Sequence, residues 1–168
     1  YATKFIEDNE ESAVFLECGL GKSVITLTAI KNLMARGEVS RVLVVAPLRV
    51  GKTTWPEEIG KWDHLAGLTY AVAIGSVAER LNALKAKADI TIINRENVEW
   101  LIDKSGVAFD YDMLVIDELS SFKSYQAKRF RSLLKVRPTV KRIVGLTGTP
   151  SSNGLMDLWA EFRVLDLG

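Results

Sequence analysis

A chain of 168 residues, 48% of them hydrophobic and 26% charged, can bury a real core without staples, so disordered and fibrous classes are excluded. No apolar run approaches the roughly 18 residues of a membrane span, and the lone cysteine, Cys18, excludes an internal disulfide framework. The net charge of +1 conceals an uneven distribution: residues 1 to 118 carry 13 Lys/Arg against 18 Asp/Glu, whereas residues 119 to 156 carry 8 Lys/Arg and no acid. A basic block of that kind points either to an anionic partner or to a solvated helix face.

In chain order, an amphipathic pattern over YATKFIEDN precedes a first predicted strand, SAVFLE (12 to 17), a glycine loop and a helix at about 21 to 36. Strand RVLVVA (41 to 46) is followed by a helical pattern at 52 to 62, strand TYAVAI (69 to 74) by one at 77 to 87, and strand ITIIN (90 to 94) by one at 96 to 104. Strand MLVID (113 to 117) leads to a helix at 125 to 136, and strand RIVGLT (142 to 147) to a last helix at 154 to 165. The strands are continuously apolar, as strands buried on both faces of a parallel sheet are. Strict alternation of strand and helix predicts one α/β domain over 1–168, a mostly parallel sheet flanked by helices on both faces, with ligands at the carboxyl ends of the strands. Both ends of the chain fall in helical patterns, as expected of a piece of something longer.

Three stretches carry chemistry. ECGLGKS follows the first strand and opens the helix VITLTAIKNLMARG, in which Val24, Leu27, Ile30 and Met34 recur at core-facing spacing. The general phosphate-loop spacing, GxxxxGK then Ser or Thr, calls for glycine at position 16, where this chain has Leu16. Gly19 and Gly21 still allow successive N–H groups to converge on phosphate oxygens, with Leu20 between them and the helix adding its positive end. Lys22 would then reach the β and γ phosphates and the Ser23 hydroxyl would hold Mg²⁺.

The second stretch, MLVIDELSS, ends an apolar strand in Asp117 and Glu118. Asp117 is assigned to Mg²⁺ and Glu118 to the attacking water, although an Asp-Glu pair also serves as an ordinary helix N-cap with a first-turn acid. The third, VGLTGTPSSNG, closes a strand with Thr147 and Thr149 around a glycine before Pro150. Its residue types equally suit a plain strand-to-helix turn.

Taken together, ECGLGKS, VLVVAPLRV, ITIINRENV, MLVIDELSSFKS and IVGLTGTPSSNGLMDLWAEF resemble the first RecA-like domain of superfamily II helicase-type ATPases, most closely their SWI/SNF-like branch and its phage and prophage members. That branch typically reads DEMGLGKT around the loop, so the missing first glycine is shared, and LMDLWAEF supplies the Leu158-Trp159 pair. The resemblance implies a RecA-like P-loop fold, ATP and Mg²⁺ as ligands, and motif I at Gly19, Leu20, Gly21, Lys22 and Ser23. It places motif II at Asp117 and Glu118 and the coupling motif at Thr147 and Thr149. Pro47, Leu48 and Arg49, and then Asn94 and Arg95, fall on segments that meet the nucleic-acid backbone, contacts that carry no sequence information.

Leu119 and Ser120 depart from the family by replacing the Ala and His of DEAH, which removes the usual histidine link between motifs II and III. The adenine-reading glutamine of related proteins would lie before Tyr1, and a second RecA-like domain with its arginine fingers would follow Gly168. Such a finger is worth roughly 10³ to 10⁵ in rate, so these 168 residues alone are expected to turn ATP over near background. The resemblance moves the basic block, FKSYQAKRFRSLLKVRPTVKR with Lys128, Arg129, Arg131 and Lys135 around an apolar face of Phe130, Leu133 and Leu134, towards DNA or partner contact.

Cys18 reads as filler, and His64, the only histidine, lacks zinc-ligand neighbours. Trp55, Trp62, Trp100 and Trp159 read as core or cleft packing rather than base-stacking platforms. The expected function is the ATP-binding motor domain of a DNA-dependent translocase, monomeric and cytoplasmic in a bacterial or phage-infected cell, acting on duplex DNA. A small P-loop kinase or GTPase is the rival enzyme, disfavoured by the lack of an NKxD motif. A non-hydrolysing nucleic-acid-binding module is the rival of another class, disfavoured by intact Lys22, Asp117 and Glu118.

Overall fold

The computed structural model describes residues 1–15, 21–118 and 127–148. Helix α1 (Ala2–Asp8) leads into β1 (Glu11–Phe15), α2 (Lys22–Ala35), β2 (Val42–Ala46) and α3 (Trp55–Lys61). Then come β3 (Tyr70–Ala73), α4 (Val77–Lys85), β4 (Ile90–Asn94), β5 (Met113–Asp117), α5 (Ala127–Val136) and β6 (Arg142–Thr147). All six strands lie within two residues of their predicted ends. The predicted helix at 154 to 165 lies outside the described residues.

The strands form one all-parallel sheet in the order β1-β6-β5-β2-β4-β3. β2, β4, β5 and β6 are buried throughout, as continuous apolar runs require. The edge strands are not: β3 leaves Tyr70 44% exposed and β1 alternates buried with half-buried residues, because an edge strand has a neighbour on one side only.

Alternate residues of each strand serve two separate cores. Val44, Ile92, Met113, Val115 and Val144 pack beneath α1, α2 and α3, whereas Leu43, Val45, Ile93, Leu114 and Ile143 pack beneath α4, α5 and the Trp100–Lys104 turn. On α2 the buried residues are Thr26, Leu27, Ala29, Ile30 and Leu33, with Val24 and Met34 only half buried. The expected face is thus rotated towards Leu33, because α2 is flanked by α1 and α3 and buries a wide arc. Each fully buried leucine or isoleucine there contributes about 2 kcal/mol.

Two predicted helices are irregular. The segment at 52 to 62 begins with a π-helical turn, Val50–Thr54, before α3, and the segment at 96 to 104 is a 3-10 turn, Arg95–Asn97, followed by a π turn, Trp100–Lys104. Both follow strands β2 and β4 at their carboxyl ends, and π turns concentrate at functional sites.

Candidate active site

Asp117 is the last residue of β5 and continues the row Met113, Val115 onto the face covered by α2 and α3. It is 5% exposed. Its Oδ2 accepts a hydrogen bond from the indole Nε1–H of Trp55 at 2.9 Å. Its Oδ1 is buried with no hydrogen-bond partner among the described residues, and stands 3.6 Å from Lys22 Nζ, an ion-pair distance too long for a hydrogen bond. Burial pushes the Asp117 carboxyl up, opposed by the Trp55 hydrogen bond and the charge of Lys22, and the neighbouring Glu118 charge pushes the same way as burial.

Lys22 opens α2, and its ammonium donates to Glu118 Oε1 at 2.6 Å. One ammonium therefore stands between two carboxylates carried 95 and 96 residues away in sequence. Glu118 itself has φ of 59°, a left-handed conformation that is uncommon outside glycine and that turns its side chain off the strand direction. Gly21, with φ of 77°, lets the chain enter α2 in the same left-handed region. The first turn of α2 carries no acidic residue, which leaves its positive end for an anion.

These groups border a cavity of about 490 Å³ lined by Gly21, Lys22, Ser23 and Val24 on one side and Asp117 and Glu118 at its floor. The opposite wall, Val50, Thr54, Glu58, Lys61 and Trp62, comes from α3 and the turn before it. Of those five only Trp62 stood out in the sequence, as core or cleft packing. Trp62 is anchored by its Nε1–H donating to Glu58 Oε2 at 2.6 Å, with Lys61 Nζ 5.1 Å from its ring centre.

The donor set suits a phosphate with a divalent cation. A buried carboxylate oxygen with no donor of its own is what a hard cation coordinates, and Ser23 borders the same cavity. Lys22 and the open start of α2 provide the complementary charge for phosphate.

The remaining predicted residues divide by location. Pro47, Leu48 and Arg49 follow β2 at its carboxyl end, Leu48 and Arg49 exposed, while Asn94 ends the adjacent β4 and Arg95 follows it. The Asn94 side chain is held on both sides, its Nδ2 donating to Glu96 and its Oδ1 accepting from Asn97 Nδ2 at 2.6 Å. Arg80 donates to Asn97 Oδ1 and stacks 4.3 Å from the Trp100 ring centre, bracing this loop against α4. Thr147 is fully buried at the end of β6, beside Phe15 in register. Gly19, Leu20, Thr149, Leu119 and Ser120 lie outside the described residues, as do Cys18, Leu158 and Trp159.

On α5, Phe130 and Leu133 are buried as expected and Arg131 is exposed, but Lys135 is held by Asp103 at 2.9 Å, beside a 2.7 Å bond from Ser132 to the same carboxylate. Lys135 is thus exposed, as expected, and also ties α5 to the Trp100–Lys104 turn.

Trp55, expected as core or cleft packing, has a further role. It is fully buried, yet its one polar atom meets Asp117. The only signal in the chain was residue type: a buried tryptophan needs an acceptor for its N–H.

The sequence matches the family model of the SNF2-related domain over residues 8–168. It is 41% identical to protein p41 of Acyrthosiphon pisum secondary endosymbiont phage 1 over 168 residues, covering 96% of this chain and 36% of that protein. It is 30% identical to the helicase swr1 of Aspergillus fumigatus over 149 residues, covering 86% of this chain and 8% of that one. The fold superposes on the Sulfolobus solfataricus SWI2/SNF2 ATPase core in complex with dsDNA with a TM-score of 0.78 at 24% identity, covering 99% of this chain and 34% of the other. The chain thus spans about a third or less of these proteins. With the match running from Asp8 to Gly168, the chain belongs to the SNF2-related domain family.

Proposed function

We propose that this chain is the ATP-binding motor domain of a DNA-dependent, SWI/SNF-like translocase, in which ATP hydrolysis drives movement on duplex DNA. The observation that carries the reading is the single ammonium of Lys22 placed between Asp117 and Glu118 at the mouth of an open helix start. Gly19, Leu20 and Gly21 would wrap the phosphates with backbone N–H groups, and Lys22 would transfer its hydrogen bond from Glu118 to the β and γ phosphates. That exchange frees the Glu118 carboxylate, which can then accept the proton of the attacking water. Ser23 and Asp117 would hold Mg²⁺, which when bound neutralises the charge developing on the phosphate oxygens.

Outside the pocket, Leu48 and Arg49 beside Pro47, and Arg95 beside the buried Asn94, would meet a nucleic-acid backbone. Thr147 and Thr149 would relay the nucleotide state to these residues. A second RecA-like domain of the same protein is the partner that would close over the cavity and supply arginine. The likeness to a DNA-bound ATPase core supports the DNA assignment.

The test is the ATP hydrolysis rate of the whole protein without DNA, with single-stranded DNA and with duplex DNA, beside a Glu118→Gln variant. Duplex should stimulate the natural protein most, and Glu118→Gln should lower the rate by about 10² to 10⁴ while leaving nucleotide binding intact. Equal rates under all three DNA conditions would overturn the reading.

A further inference from the structure

A carboxylate has two chemically equivalent oxygens, and its terminal torsion is broad and two-fold, so without a partner either oxygen can face a ligand. At Asp117 that equivalence is broken. Oδ2 is engaged by Trp55 Nε1–H at 2.9 Å on the buried side, while Oδ1 has no hydrogen-bond partner among the described residues and stands 3.6 Å from Lys22. The donor comes from a different element, 62 residues earlier, and from a side chain with no exposure at all, so solvent cannot substitute for it.

The position of Trp55 is in turn imposed by the backbone before it. The Pro47 carbonyl accepts from Gly51 N–H at 2.9 Å, the Val50–Thr54 turn is π-helical, and the Trp55 N–H donates to the Val50 carbonyl. Gly51 allows this turn to lie against the sheet, since a Cβ there would meet Ile92 Cγ2 at 3.3 Å and Ile74 Cδ1 at 3.4 Å. The turn thus fixes where the Trp55 side chain leaves the backbone, and complete burial confines the indole beside Asp117.

We infer that Trp55 is a positioning residue of the metal site: its indole N–H locks the Asp117 carboxylate so that Oδ1 alone is presented to the divalent cation. The inference rests on the assignment of Asp117 to Mg²⁺ above. Outer-shell donors of this kind typically change metal affinity 10- to 100-fold when lost.

The experiment replaces Trp55 in the whole protein by benzothienylalanine, whose ring has nearly the same shape but carries sulfur where the N–H was. Affinity for a fluorescent methylanthraniloyl-ADP is measured with Mg²⁺ and with EDTA, and thermal unfolding reports the fold. The natural protein should bind more tightly with Mg²⁺, and the variant should lose about 10- to 100-fold of that Mg²⁺ dependence while its affinity in EDTA stays the same. Retention of the full Mg²⁺ dependence would overturn the role of Trp55 alone. If Asp117→Ala also retains it, the assignment of Asp117 fails and takes the inference with it. A second measurement needs no variant: on titration with Mg²⁺ alone, the ¹⁵N-labelled indole N–H resonance of Trp55 should move while that of Trp100 does not, and a stationary Trp55 resonance overturns the inference.

Discussion

The two edges of the sheet hold buried charge in opposite ways. At the amino-terminal edge every buried charge among the described residues has its partners. Arg142 donates to the carbonyls of Ile6, Glu7 and Asn9 at 3.2 to 3.4 Å, closing the end of α1. Arg137, fully buried, donates to Val140 O and Glu11 Oε2, and Asp112 accepts the backbone N–H groups of Ser40 and Arg41 at 2.9 Å each. Arg41 pairs with Asp110 below and stacks 4.7 Å from the Tyr111 ring centre. At the carboxyl edge two acids adjoin one lysine, one carboxylate oxygen has no donor, and Glu118 holds a strained backbone. Satisfied charge stabilises a fold, whereas under-satisfied charge is interaction energy held for a ligand.

Three substitutions would break or sharpen that contrast. The largest effect belongs to Lys22→Ala, which removes the cation standing between Asp117 and Glu118. DNA-stimulated ATP hydrolysis by the whole protein should fall by about 10² to 10³, and a rate within threefold of the natural protein would show that the carboxyl edge does not do this chemistry. Next, Arg142→Met takes the shared donor from three carbonyls. Urea denaturation should report a loss of about 2 kcal/mol, with nucleotide affinity unaltered. If affinity fell instead, the two edges would not be independent devices.

Asp117→Asn should move stability the other way. Burial raises the folded pKa of this carboxyl above its unfolded value, so between the two values the folded state binds more protons. Stability therefore declines as pH rises through that window, and the penalty persists at neutral pH. Asparagine can still accept from Trp55 without carrying charge, and should raise ligand-free stability at pH 7 by about 1 kcal/mol. The gain should vanish at a pH below the unfolded carboxyl range; an equal gain there would refute burial as the cause. Thermal unfolding across pH checks both statements.

Much of this was legible in the chain itself. Unbroken apolar runs such as VLVVA and MLVID announce strands buried on two faces, and the 3.6-residue recurrence of Leu27 and Ile30 announces α2, because periodicity and composition are local properties. Lys22 after its glycines and Asp117-Glu118 at a strand end were visible for the same reason. Periodicity was less able to find the facing arc of α2, where Leu33 is buried more deeply than Met34, or the exposed side of β3, since both depend on which neighbours are present.

Sequence by itself determined the succession of strands and helices, the phosphate-type loop and the acids that face it, since each lies within a few consecutive residues. Only the tertiary structure decided that β5 lies between β6 and β2, that α3 forms the far wall of the cavity, and that Asp117 Oδ2, rather than a core carbonyl or water, accepts the Trp55 indole N–H. The Trp55–Asp117 and Lys22–Glu118 contacts join residues 62 and 96 positions apart. A hydropathy pattern says that a tryptophan is buried; which acceptor its N–H meets is settled when two helices and a sheet pack together.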